Sequence, residues 1–267
     1  MHAAPALSLP LPLPMPARPL HARLTGLCII GAARLLTGVR AYWHREASPL
    51  GPAPSRAAVF AEPPTVYFAN HASHADFVLL WASLPPAMRR LTRPVAAADY
   101  WRRSALRRFI GEQVFGALLI EREAAGSGRD WRVAAADPVR QMRAALQAGQ
   151  SLILFPEGTR NTGDAPLLPF KSGLFHLGRA CAQADQPVRL VPVWINNLKR
   201  VLPKGMLVPL PLACSVSFGE PLAWLEGEDR AAFARRAEQA VLTLRPACDV
   251  ATSAAPASMT AAGVTPA

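Results

Sequence analysis

A histidine and an aspartate five residues apart close the segment Asn70-His71-Ala72-Ser73-His74-Ala75-Asp76. Histidine takes up and releases a proton near neutrality. A carboxylate on its second ring nitrogen fixes the tautomer and stabilises the imidazolium. His71 and Asp76 thus form a ready general base for a hydroxyl nucleophile. Five residues of ideal helix leave two side chains about 140° apart. The pairing therefore needs His71 ahead of a helix and Asp76 in its first turns, with Ser73 as N-cap. The spacing alone is common in a chain with 6 histidines. Its plainer reading is a turn-capping histidine beside a solvated aspartate.

A second segment, Phe155-Pro156-Glu157-Gly158-Thr159-Arg160, sharpens the signal. Each segment follows an apolar run that reads as a buried strand, Thr65-Val66-Tyr67-Phe68-Ala69 and Ser151-Leu152-Ile153-Leu154. Open α/β sheets bind ligands at the carboxyl ends of their strands. Both segments are thus expected at one sheet edge. Arg160 can give a phosphate two parallel hydrogen bonds, and Gly158 lets the backbone approach a ligand closely. Glu157 has two open roles: holding Arg160, or accepting from a substrate hydroxyl. Between the segments lies Gly116-Ala117-Leu118-Leu119-Ile120-Glu121-Arg122, and after them Leu190-Val191-Pro192-Val193.

These four blocks, in this order across residues 60–200, resemble the glycerolipid acyltransferase family, which includes the 1-acylglycerol-3-phosphate acyltransferases. The resemblance implies that His71 deprotonates an acceptor hydroxyl, that Asp76 orients the ring, and that the oxygen attacks an acyl thioester. It places Glu157, Gly158, Thr159 and Arg160 at the substrate, with Arg122 as a second phosphate ligand. Lys171, in Leu168-Pro169-Phe170-Lys171-Ser172-Gly173, fits the same pattern. Val191 and Val193 would at most line an acyl pocket. The implied donor is acyl-CoA or acyl-carrier protein. The implied acceptor is a lysophospholipid, 1-acylglycerol-3-phosphate first. No metal, cofactor, covalent acyl-enzyme or nucleic acid is required. The chain departs from this pattern at Ala96-Ala97-Ala98-Asp99-Tyr100, where relatives acting on lysophosphatidate often carry a Lys-rich stretch. Arg102, Arg103, Arg107 and Arg108 either compensate or hold the next helix on anionic lipid. Another acceptor, such as a lyso-aminolipid, therefore stays open. Two rival classes also stay open: a metal-dependent hydrolase built on His71, His74 and Asp76, and a non-catalytic binder of anionic surfaces.

The elements that must position these residues follow from pattern and composition. The 267 residues suffice for one sizeable core. A hydrophobic content of 51% excludes a disordered chain, and a net charge of +11 points to an anionic partner. Cys28, Cys181, Cys214 and Cys248 lack metal-ligand spacing and read as reduced thiols. Residues 1–20 read as a Pro-rich arm. Residues 21–47 read as a membrane-associated helix, because the apolar stretch Leu24 to Val39 is flanked by Arg18, Arg23, Arg40, Arg45, Tyr42 and Trp43. That stretch is short of the roughly 20 residues needed to span a bilayer. It predicts a segment lying in one leaflet on the cytoplasmic face, the alternative being a helix packed on the domain. A linker at 48–56 leads to a catalytic domain at 57–245, and 246–267 reads as a tail.

Within the domain, strands are expected at 65–70, 92–98, 114–120, 151–155, 188–195 and 213–218. Helices are expected at 75–83, 100–110, 172–184 and 228–244. Asp137 and Pro138 read as the N-cap and first residue of one more helix, running to Ala148. The alternation predicts an α/β fold: a mostly parallel central sheet flanked by helices, with the N-terminal membrane-associated helical segment appended.

Overall fold

The computed structural model describes residues 18–44, 62–121, 131–198 and 213–246. Most of the Pro-rich arm, the linker at 48–56, Arg122, Cys248 and nearly all of the tail lie outside them.

Seven strands form one sheet: β1 (Arg40–Trp43), β2 (Thr65–Ala69), β3 (Thr92–Ala97), β4 (Leu118–Ile120), β5 (Ser151–Leu154), β6 (Arg189–Asn196) and β7 (Ser215–Phe218). Their order is β1-β7-β6-β2-β5-β3-β4. Every pairing is parallel except β6 with β7. β2 sits at the centre with all five residues buried. Strands covered on both faces read as unbroken apolar runs, which is why Thr65–Ala69 shows no polar alternation.

The two faces divide by the strand period of two. Tyr67, Ala69, Ile153, Val191 and Val193 enter one core. Val66, Phe68, Leu152, Leu190 and Trp194 enter the other. The first core is covered by α1 (Leu20–Thr37), α2 (Asp76–Ser83) and a π-helix at Phe109–Val114. Between α2 and the π-helix come α3 (Pro86–Leu91), α4 (Ala98–Trp101) and α5 (Ala105–Arg108). The second core is covered by α6 (Trp131–Gln147), α7 (Gly173–Ala182) and α8 (Arg230–Leu242). The result is the helix–sheet–helix sandwich expected of the sequence. Val191 and Val193 belong to its core, not to a ligand pocket.

Four local expectations are corrected. The helix foreseen at 21–47 ends at Thr37, where Gly38 takes a left-handed φ of 50°. Residues 40–43 then pair with β7 as an edge strand, and Trp43 stacks on Phe218 with ring centroids 3.7 Å apart. The helix foreseen at 100–110 is three pieces. Ser104 accepts from the Arg107 amide and starts a new turn, and the chain then widens into the π-helix. The strand foreseen from residue 114 is shortened accordingly to Leu118–Ile120. The helix foreseen from Pro138 begins at Trp131 and contains that proline. Proline's missing N–H costs one helical bond without forcing a stop, and Asp137 pairs with Arg140 at 2.6 Å in place of capping.

α1 is held on the domain by one stripe, Ala22, Gly26, Ile30 and Thr37. The Arg34 guanidinium donates to the Ala82 carbonyl at 2.8 Å. Arg18 reaches the Val114 and Phe115 carbonyls at 2.7 and 3.1 Å. Leu20, Leu24, Leu27 and Leu35 occupy a separate, exposed stripe. Among the described residues no helix is long and apolar enough to cross a membrane.

Candidate active site

β2 and β5 are parallel neighbours with Phe68 opposite Leu154, so the chain leaves both strands at the same sheet edge. Asn70 fixes the exit from β2. Its side chain donates to the Ile195 carbonyl at 3.0 Å and accepts from the Ile195 amide at 2.7 Å. His71 follows. Its amide donates to Glu157 Oε1 and its carbonyl accepts from the Asn161 amide, both at 2.6 Å. Its ring stacks on Phe155 at 4.3 Å and meets Asp76 Oδ2 through Nδ1 at 2.8 Å.

Asp76 opens α2 and is fully buried. Its Oδ2 also accepts from the Ala72 and Ser73 amides at 2.6 and 2.8 Å. A carboxylate oxygen surrounded by two N–H donors makes Nδ1 of His71 the third donor. The second ring nitrogen, Nε2, is then the basic one. The His-before-helix geometry expected from the spacing is found. Ser73 is not the N-cap, however: Ala75 precedes the helix. The reversed chain at 72–73 donates to Asp76 instead.

Glu157 is not paired with Arg160, one of the two roles weighed from sequence. Its two oxygens accept backbone amides, His71 on one side and Leu168 at 2.9 Å on the other. Burial pushes its pKa up against the opposing pull of those two amides. Glu157 therefore ties the base to the loop that carries the remaining site residues. Gly158 adopts φ 68°, and a Cβ there would lie 2.8–2.9 Å from the Lys171 Cδ, Cε and Nζ atoms. Lys171 thus lies across this glycine. Thr159 and Arg160 are exposed at the same mouth.

The mouth opens into a cavity of about 620 Å³. His71, His74, Thr159, Arg160 and Lys171 stand on its polar side. Its depth is apolar, with Phe77, Trp101, Phe115, Ile120, Met142 and Leu154 among the walls. The structure thus gathers His71, Gly158, Thr159, Arg160 and Lys171 around one opening, with Asp76 and Glu157 buried behind it. Sequence reasoning missed Phe155, Asn70 and Asn161 as supports. It also missed the wall made by the π-helix, whose Gly111 lies under the Trp101 ring at 2.9 Å from an added Cβ. Phe155 had a visible signal, being the first residue past a strand end opposite the histidine. The π-helix had none.

His74 does not join His71 and Asp76 as a metal triad. Its ring stacks on Tyr100 at 5.7 Å. Among the described residues no three His, Cys, Asp or Glu side chains are grouped to hold a metal ion. Buried Cys181 and Cys214 lie away from the cavity, and burial pushes both thiols up to about 11.

A buried carboxylate thus orients a histidine at the opening of a largely apolar cavity that Arg160 and Lys171 also line. A model of the Acyltransferase family matches residues 52–196. The chain belongs to that family. It is 29% identical over 154 residues to a 1-acyl-sn-glycerol-3-phosphate acyltransferase of Cocos nucifera, covering 56% of this chain and 45% of that protein. It is 28% identical over 159 residues to one of Limnanthes alba, covering 59% and 50%. The chain therefore spans about half the length of these curated relatives. The crystal structure of the 1-acyl-sn-glycerophosphate (LPA) acyltransferase PlsC from Thermotoga maritima shares the fold. Its TM-score is 0.55 at 17% identity, covering 86% of this chain and 82% of that one.

Proposed function

We propose that this protein transfers a fatty acyl group from an acyl thioester, acyl-CoA or acyl-carrier protein, to the free hydroxyl of 1-acylglycerol-3-phosphate. The observation that carries the reading is the 2.8 Å contact of His71 Nδ1 with buried Asp76 at the mouth of an apolar cavity. The names of the curated relatives support the choice of acceptor. His71 Nε2 takes the hydroxyl proton as the oxygen attacks the thioester carbonyl carbon. Asp76 stabilises the imidazolium that forms. The carbon–sulfur bond then breaks, and the proton passes from His71 to the departing thiolate. The new ester holds the acyl group, and no covalent acyl-enzyme intervenes. Arg160 and Lys171 hold the anionic head, while the apolar cavity takes acyl chain.

The exposed leucine stripe of α1 and the arginines around α5 are suited to an anionic membrane surface. The protein in this reading sits as a monotopic enzyme on the cytoplasmic face and draws its acceptor from the bilayer.

Acyl transfer by purified protein in vesicles tests the reading, with both donors offered against a panel of lysolipids. Product from 1-acylglycerol-3-phosphate, reduced about 10²- to 10⁴-fold in His71→Ala, is the expected result. Product only from a lyso-aminolipid would replace the acceptor and keep the mechanism. Unchanged turnover in His71→Ala would remove the mechanism.

A further inference from the structure

His74 projects into the same opening as the base, on the loop between β2 and α2, yet the mechanism above does not use it. Its orientation comes from stacking. The imidazole lies nearly parallel to the Tyr100 ring, 17° between planes, and the Arg107 guanidinium stands 4.5 Å over that same ring. Among the described residues none makes a hydrogen bond to the His74 ring, which lines the opening. Arg160 and Lys171 reach that opening from the loop after β5.

We propose that His74 is a specificity-determining contact whose imidazole, together with Arg160 and Lys171, seats a phosphate monoester at the mouth of the cavity. This rests on the acyltransferase reading and extends it to the recognition of the substrate head. A forked guanidinium, a point-charge ammonium and an imidazole N–H offer donors to three oxygens of one phosphate. The phosphate belongs either to the acceptor or to a coenzyme A donor, and the experiment separates the two.

The charges facing His74 explain how it responds to that group. Arg160, Arg107 and His71 disfavour a proton on the ring, and only Asp76 favours one. Asp76 Oδ2 is already engaged by His71 and two amides. Partial burial, the largest cause, acts in the same direction as the cations, and the ring's pKa is lowered. The empty site thus favours the neutral ring. A dianionic phosphate placed between it and Arg160 reverses the local field. The ring then takes one proton from water and donates to a phosphate oxygen. Binding is accordingly tighter as pH falls toward neutrality, until the phosphate itself begins to protonate near its second pKa of about 6.

The full chain, labelled with ¹³C-histidine, is titrated by NMR with and without glycerol 3-phosphate, with glycerol as control. The His74 signal is assigned by its loss in His74→Gln. It is expected to titrate at higher pH with the phosphate and to be unmoved by glycerol. In turnover, His74→Phe keeps the stack on Tyr100 and removes the nitrogens. It is expected to raise KM for lysophosphatidate about tenfold, the effect of one charge-assisted hydrogen bond, with a smaller effect on kcat and a flattened acid-side gain in affinity. His74→Gln, a neutral donor, is expected to recover part of the loss above pH 7.5. A KM rise confined to acyl-CoA and absent with acyl-carrier protein would assign the seat to the donor's phosphates. A His74 titration unmoved by glycerol 3-phosphate, with both KM values unchanged in His74→Phe, would overturn the proposal. If no lysolipid is acylated, the NMR titration still decides whether the seat exists.

Discussion

His71 and Glu157 each stand three residues beyond a matched pair on neighbouring parallel strands, Phe68 and Leu154. The His71 amide donates to the Glu157 carboxylate at 2.6 Å. The register of the sheet thus sets the base, and one buried carboxylate locks it. The same carboxylate reaches the Leu168 amide at 2.9 Å. It thereby fixes the loop that leads to Lys171.

Glu157→Gln keeps the shape but turns one acceptor into an N–H₂ facing a backbone N–H. Leaving a buried donor unsatisfied costs about 1–3 kcal/mol. A general base displaced by an ångström loses on the order of a hundredfold in rate. Thermal unfolding and kcat measured on the variant should therefore both fall, although Glu157 touches no reacting atom. A rate equal to wild type would mean that the Glu157 carboxylate is not needed to hold His71.

Gly158 works through its neighbour. At φ 68° an alanine costs roughly 1–2 kcal/mol in backbone strain, and its methyl would meet the Lys171 chain at 2.8–2.9 Å. Lysine is flexible and moves aside, so Gly158→Ala should raise KM for the anionic substrate more than it lowers kcat. Gly158→Ala made in a Lys171→Ala background should add little further loss in KM, because the two changes share one contact. Additive losses would separate the glycine from the lysine.

Much of this site was legible because strand ends are legible. Thr65–Ala69 and Ser151–Leu154 are apolar runs cut off by Asn70 and by Phe155-Pro156, and a parallel sheet brings such ends together. His71 and Glu157 could be placed at one sheet edge for that reason, whereas Lys171 came only from the family resemblance. The role of Glu157 was hidden because its partners are backbone amides, which carry no sequence mark. The wall at Phe109–Val114 was hidden for a related reason. The wider turn carries no residue signature of its own, and only the closeness of Gly111 to the Trp101 ring marks it in the fold. β1 was hidden by composition: four residues, Arg40–Trp43, carry the cation and aromatic signs of a membrane edge, yet Trp43 spends its ring on Phe218.

The C-terminal helix offers a test of pH dependence away from the site. The Asp229 carboxylate accepts from the Ala231 and Ala232 amides at 2.7 and 2.8 Å and caps α8. Those amides hold its pKa below the ordinary 3.8. A depressed folded pKa stabilises the fold at pH above the unfolded value and loses that effect as pH falls through the folded one. Asp229→Ala should therefore lower the thermal midpoint at pH 7. The gap to wild type should narrow below pH 3.8. Asp229→Asn, which keeps a capping oxygen, should lose less. A gap that does not change with pH would detach the effect from the charge.

α1 separates attachment to the domain from attachment to lipid, because the two stripes hold different residues. Leu24, Leu27 and Leu35 are 53%, 61% and 86% exposed, whereas Ile30 is 6% exposed. Burying one leucine is worth about 1.5–3 kcal/mol, so three lost from a membrane contact weaken binding far beyond tenfold. The triple change of Leu24, Leu27 and Leu35 to Asp should abolish co-sedimentation with anionic phospholipid vesicles. Its thermal midpoint should stay close to wild type, since exposed positions contribute little to folding. Ile30→Asp should do the opposite, loosening α1 from Trp81 and Val114 and lowering the midpoint, because it forces a charge into the core that holds those residues. Vesicle binding that survives the triple change would move the lipid contact off α1, to the arginines around α5.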